Sequence, residues 1–305
     1  MSCSVLFLGN KERGTLCLEA LLDSRHEIVA VVAPPADSTE DWYRSPVPVA
    51  EEHGIPVHRP ADVNDPEVVR TLADHEPDLT VMAGYSQILG SEVLNVAPEG
   101  TLNLHGGKLP SYRGASTLNW MLINGEEEGG IAVLFADEGI DTGDIVAQER
   151  FDIAEEDTIV DVVERTNELF PGMLVDAVDA IDDGTVKRTP QSHGEGTYWH
   201  SRRPRDGEID WQHMTARNVH DLVRSLAGPY PSAYTHHDEA KLEITETSVP
   251  DEDVRGIPGR VARTRGQGVL VVAADRAVLV EHVQPEGGEE QPAREYFSGV
   301  GVDLG

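Results

Sequence analysis

Short apolar runs alternate with stretches of helical period as far as about residue 182. CSVLFLG at 3–9, EIVAVVA at 27–33, DLTVMAG at 78–84, GTLNLHG at 100–106 and GGIAVLFAD at 129–137 predict buried strands, with IPVH at 55–58 and IVAQERFDI at 145–153 as shorter ones. Between them the spacing predicts helices over 14–22, from near Pro48 to before Gly54, over 65–75 and over 115–124. A longer helix over about 157–182 opens on Asp157 as its cap and turns Ile159, Val162, Val163, Leu169, Leu174, Val178 and Ile181 inward. Apolar strands separated by helices belong to an α/β fold, an open, mostly parallel, doubly wound sheet with helices on both faces. Ligands of such sheets sit beyond the carboxyl ends of the strands, here near residues 9–10, 83–85 and 103–107.

The pattern changes after residue 184. Residues 185–205 are polar, with Pro and Arg, and read as a linker. A helix follows over 216–226, and then SAYTHH, AKLEITETSV, GRVARTR, GVLVVAAD and AVLVEHVQP predict five short strands cut by Gly, Pro and Asp turns. Such strands make a small open β-barrel of OB-like type or a compact antiparallel sheet. The expected organisation is a larger domain over 1–184, the linker, a small domain over 206–287 and a flexible acidic tail over 288–305.

The 305 residues suffice for a large core, and 39% hydrophobic content excludes a disordered or repeat chain. No apolar run reaches the length of a membrane span, and the first residues lack the pattern of a secretory leader. The two cysteines, Cys3 and Cys17, form neither a disulfide framework nor a zinc set, so a cytoplasmic setting is expected. Charge changes the picture more. Asp and Glu number 55 against 24 Lys and Arg, a net −31 spread along the whole chain. Spread acid reads as a solvated surface of the kind found in proteins adapted to high salt. It disfavours a nucleic-acid footprint, which draws on clustered Lys and Arg.

Candidate chemistry centres on GTLNLHGGKLPSYRG at 100–114. Period-two alternation places Asn103 and His105 on one face of a strand at its carboxyl end, with Leu102 and Leu104 on the other. Gly106 and Gly107 let the backbone approach a ligand, and Lys108 and Arg113 follow. The turn ADEGIDTGD at 136–144 supplies carboxylates without the ligand spacing of a calcium loop. A carboxylate beside an imidazole and an amide suits attack on a carbonyl with no metal. The serine elbow, the phosphate-binding loop and a properly spaced dinucleotide fingerprint are all missing.

Asn103-Leu104-His105, the following Lys108-Leu109-Pro110-Ser111-Tyr112-Arg113-Gly114 and the later Asp137-Glu138-Gly139-Ile140-Asp141-Thr142-Gly143-Asp144 resemble the folate-dependent formyltransferase family. The resemblance covers nearly all of 3–285, with Gly107-Lys108 where the family usually has Ser-Leu. It implies a formyltransferase-type, Rossmann-like first domain and direct transfer from N10-formyltetrahydrofolate to an amine. It implies Asn103, His105 and Asp141 as catalytic residues, and Tyr85, Ile88, Leu89, Asp137, Gly139 and Asp141 as folate contacts. Asn10, Lys108, Arg113, Arg202 and Arg203 would face the acceptor.

Within the family, YRGASTLNWMLINGE, SRRPRDGEIDW and VRSLAGPYPSAYT are similar to enzymes acting on amino sugars. The loop PPADSTEDWYR at 34–44 has one basic residue and three acidic ones, where tRNA-acting members carry a basic loop. The expectation is therefore a nucleotide-linked amino sugar as partner, no nucleic acid, no membrane and a possible homodimer. Alternatives are methionyl-tRNA formylation, hydrolysis of the formyl-folate, and a non-catalytic nucleotide- or RNA-binding protein.

Overall fold

The structure is a computed structural model that describes residues 2–36, 44–192, 194–228, 230–297 and 299–305. Most of the acidic loop at 34–44 lies outside the described residues. The elements run β1 (Ser4–Gly9), α1 (Lys11–Leu22), β2 (Glu27–Val32), α2 (Pro46–Glu52), β3 (Val57–His58), α3 (Pro66–Ala73), β4 (Leu79–Ala83), α4 (Ser91–Leu94) and β5 (Thr101–His105). Then come β6 (Arg113–Gly114), α5 (Thr117–Ile123), β7 (Glu128–Phe135), β8 (Ile145–Asp152), α6 (Ile159–Asp182) and β9 (Tyr198–Trp199).

Seven strands form one sheet in the order β3-β2-β1-β4-β5-β7-β8. The five from β3 to β5 are parallel, and β7 joins β5 antiparallel. Val5, Leu6, Phe7 and Leu8 of β1 have no exposed surface, because a parallel strand covered on both faces must be apolar throughout. Each such side chain contributes about 1.5–3 kcal/mol by leaving water. Strand order turns around between β1 and β4, the position outside the carboxyl ends of the strands where sheets of this kind bind ligands.

The chain divides into two compact units, the first of Met1–Gly114, Gly130–Phe151 and Glu164–Tyr198, the second of Ala115–Gly129, Asp152–Val163 and Trp199–Gly305. In the second unit α7 (Ala216–Arg224) is capped by Thr215, whose hydroxyl accepts from the Asn218 N–H. The strands β10 (Ala233–His237), β11 (Ala240–Ser248), β12 (Val261–Arg265), β13 (Gly268–Val272) and β14 (Ala277–Pro285) form an antiparallel sheet in the order β10-β11-β14-β13-β12, and β15 (Gln291–Pro292) pairs with β14. Among the described residues no ladder joins β10 to β12, so of the expected open barrel the structure shows the antiparallel sheet. No described helix is long and apolar enough to cross a membrane.

Two local expectations are corrected. Residues 288–305 are not a loose tail. They carry β15 and α8 (Ala293–Tyr296), and Ala293, Phe297 and Leu304 bury themselves in the core with Trp211, Val219 and Val283. Asp157 stands one residue ahead of the α6 cap, since the helix starts at Ile159, and its carboxylate accepts from the Ala154 N–H at 2.9 Å. The cap comes one residue later, where Asp161 accepts from the backbone N–H and hydroxyl of Thr158.

Within the second unit His220 is buried, with Nδ1 3.0 Å from the Thr247 hydroxyl. Burial is the largest influence on it and holds its pKa below the ordinary value. The unfolded chain therefore binds this proton first as pH falls, and the contribution to stability is complete above about pH 6.5 and is lost as pH drops towards the lower folded value. Thermal unfolding at about pH 8 and about pH 5.5 should show a smaller acid-side loss in His220→Gln than in the parent; equal losses would contradict this.

Candidate active site

The carboxyl end of β5 delivers Asn103 and His105, as strand alternation requires, while Leu102 and Leu104 are buried on the opposite face. The turn after β7 delivers Asp141 to the same place. Its Oδ1 accepts from Asn103 Nδ2 at 2.9 Å, and its Oδ2 accepts from the Gly114 N–H at 2.8 Å. His105 Nδ1 lies 3.4 Å from Oδ2, with the two side chains 6% and 10% exposed. His105 Nε2 donates to the Tyr112 carbonyl at 2.5 Å, since a carbonyl only accepts. Both ring nitrogens thus face acceptor oxygens. The second N–H of the Asn103 amide is left for another acceptor.

Local sequence explains how this shape is reached. Asp141 has φ 53°, the left-handed region that Asp tolerates better than most residues. Asp137 Oδ1 accepts from Thr142 Oγ1 at 2.6 Å and the Gly139 N–H at 3.0 Å, which closes the turn. Gly143 must be glycine, because a Cβ there would strike the Phe135 carbonyl. Gly107 must be glycine for the same kind of reason: a Cβ would strike both the Tyr112 carbonyl and His105 Nε2.

The other predicted residues are distributed as follows. Tyr85 and Leu89 are buried in a cluster with Val63, Val93 and Leu94, while Ile88 is 75% exposed. The Tyr85 hydroxyl is buried with no partner among the described residues, and burial pushes its pKa up to about 12. Asn64 pins this loop, donating to the Ile88 carbonyl and accepting from the Gly90 N–H. Gly139 and Asp137 are exposed members of the turn that carries Asp141. Asn10 caps α1, accepting from the Lys11 N–H at 2.9 Å. Lys108 Nζ stands 5.8 Å from the Tyr112 ring centre.

Arg113 is not an open anion clamp. It is 6% exposed, and its Nε and Nη2 donate to Gln191 Oε1 at 3.1 and 2.8 Å. Gln191 in turn donates from Nε2 to the carbonyls of Asp141 and Gly143. Sequence reading missed Gln191 because it lies in the polar stretch taken for a linker, where no periodicity marks a buried side chain.

Arg202 and Arg203 belong to the second unit. Arg203 is exposed; Arg202 stands 5.5 Å over the Trp120 ring, donates to the Asp206 carbonyl, and is held below its ordinary pKa by burial. That unit also holds a cavity of ≈ 470 Å³, lined in part by Glu155, Arg217, Asp221 and Arg224. It contains none of the predicted site residues, and its two arginines pair with Asp221 and Glu155.

Residues 2–178 match the profile described as Formyl transferase, and 202–301 match that described as Formyl transferase, C-terminal domain. A methionyl-tRNA formyltransferase of Alkaliphilus oremlandii is 31% identical over 99% of this chain and 98% of its own length. Another, of Symbiobacterium thermophilum, is 35% identical over 99% of this chain and 94% of its own. Among solved structures, HypX of Aquifex aeolicus with tetrahydrofolic acid has TM-score 0.67 and 21% identity, covering 99% of this chain, which spans 49% of HypX. The N-formyltransferase of Helicobacter canadensis with folinic acid and dTDP-3-aminofucose has TM-score 0.68 and 18% identity, covering 92% of this chain and 99% of its own.

The tRNA-acting relatives overturn the expectation of no nucleic-acid partner. That expectation leaned on net charge and on the loop at 34–44, and a whole-chain sum does not report the charge of one face.

A Gly107→Ala chain should lose the Tyr112–His105 hydrogen bond. NMR should then show faster solvent exchange of the His105 Nε2 proton; a proton as protected as in the parent contradicts the packing at Gly107.

Proposed function

The chain belongs to the formyl transferase family, and from that premise we propose that it formylates the amino group of methionyl-tRNA, with N10-formyltetrahydrofolate as formyl donor. One observation carries the choice of acceptor: relatives bearing that activity in their names match this chain from end to end, through both the catalytic part and the C-terminal part. Solved sugar N-formyltransferases share the fold at 18% identity, which says nothing of the acceptor.

In this reading Asn103 and His105 receive the formyl oxygen. The neutral amine attacks the formyl carbon, and a new C–N bond forms as the carbonyl oxygen gains negative charge. The free N–H of Asn103 and a proton on His105 stabilise that oxyanion. The bond to N10 then breaks, the former amine gives up a proton, and N10 takes one. His105 is placed to assist this exchange, and Asp141 keeps the ring oriented. Ile88 and Ile140, 75% and 42% exposed, offer apolar surface to the flat pterin of the donor.

Transfer of labelled formyl should proceed to methionyl-tRNA and not to UDP- or dTDP-linked amino sugars. The assay belongs in molar as well as dilute salt, because a net charge of −31 repels a polyanion until salt screens it to about 3 Å. His105→Ala should cut kcat by about 10²–10⁴-fold. Labelling of an amino sugar alone would overturn the acceptor, and full activity in His105→Ala would overturn the mechanism.

A further inference from the structure

We infer that Gln191 is the positioning residue of this site, a clamp that holds the two backbone segments around the catalytic trio at working distance; the inference rests on the formyl-transfer reading above. Gln191 is 9% exposed, and its amide is saturated. The two lone pairs of Oε1 accept from Nε and Nη2 of Arg113, and the two N–H groups of Nε2 donate to the carbonyls of Asp141 at 2.9 Å and Gly143 at 2.7 Å. The amide can sit only one way round. Flipped, it would set an NH2 against a guanidinium and an oxygen against two carbonyls, so all four contacts would turn repulsive.

What the clamp joins gives it a role in the reaction. Arg113 lies between the two residues whose backbones touch the trio. Tyr112, before it, offers the carbonyl that receives His105 Nε2, and Gly114, after it, offers the N–H that binds Asp141 Oδ2. Holding the Arg113 guanidinium therefore places both. From its other end Gln191 grips the backbone of Asp141 itself, where φ is 53° and relaxation to an ordinary conformation would carry the carboxylate away. Gly196 reports the tightness of this corner, since a Cβ there would strike the Pro110 carbonyl and the Arg113 guanidinium. Among the described residues the hydrogen bonds of Gln191 go to Arg113 and to the backbone of Asp141 and Gly143, so it acts through Arg113 and the Asp141 turn.

Gln191→Ala and Gln191→Glu test this in the full chain, with folding followed by circular dichroism and thermal unfolding. The glutamate variant would keep an acceptor for Arg113 but lose both donations to the turn, so both variants should fall in kcat, by about 100-fold, as expected of an ångström-scale misplacement. KM for the formyl donor should change little, and the pH profile of kcat should shift, which loss of fold alone would not produce. NMR titration of the His105 ring in the ligand-free chain should move with it. If Gln191→Ala does not fold, Arg113→Lys, which cannot make the paired donation, carries the same readouts. Should the parent transfer no formyl group, the functional reading fails while the His105 titration still decides the clamp. Folded variants with parental kcat, pH profile and His105 signals would overturn it.

Discussion

The site depends on one strained residue held from several sides. Asp141 occupies left-handed backbone at a cost of about 1–2 kcal/mol for a side-chain-bearing residue. Its carboxylate accepts from Asn103 and from Gly114, and its carbonyl accepts from Gln191. Hydrogen bonds to a charged group contribute about 1.5–3 kcal/mol each, so the strain is offset locally. In return the carboxylate is held 3.4 Å from His105 Nδ1 in a partly dry corner. The sheet supplies the rest: β5 ends at His105, and strand order reverses between the neighbouring β1 and β4.

Much of this was legible in the residue pattern, for identifiable reasons. Alternation in TLNLH settles which side chains share a face, because a strand has no freedom in that respect. Gly107, which the sequence marks as a place of close backbone approach, stands where any side chain would strike the Tyr112 carbonyl. The burial of Arg113 and the presence of Gln191 against it escaped because a buried ion–amide contact across 78 residues leaves no periodic trace, and a charged side chain reads by default as exposed. The order of 288–305 escaped because an acidic, Gly-rich composition masks the few apolar anchors, Ala293, Phe297 and Leu304, that tie it down. At α6 the cap moved by one position because the Asp161 carboxylate takes both the N–H and the hydroxyl of Thr158, which sets the start of the helix at Ile159.

Charge was the poorest guide. A total of −31 describes solvation of the whole surface, whereas partner choice is made by local faces that a sum averages away. The proposed acceptor therefore rests on overall similarity to methionyl-tRNA formyltransferases and not on composition. The choice of acceptor is separate from the role proposed for Asn103, His105 and Asp141, which requires only that an amine and an activated one-carbon group be brought together.

The most direct check is a crystal structure of the chain with folinic acid bound. The account predicts the formyl-bearing end of the folate at the carboxyl end of β5, with Asn103 Nδ2 within hydrogen-bonding distance of the ligand and Asp141 still in left-handed backbone. Folate lodged elsewhere, with Asn103 and His105 touching nothing but protein, would contradict it.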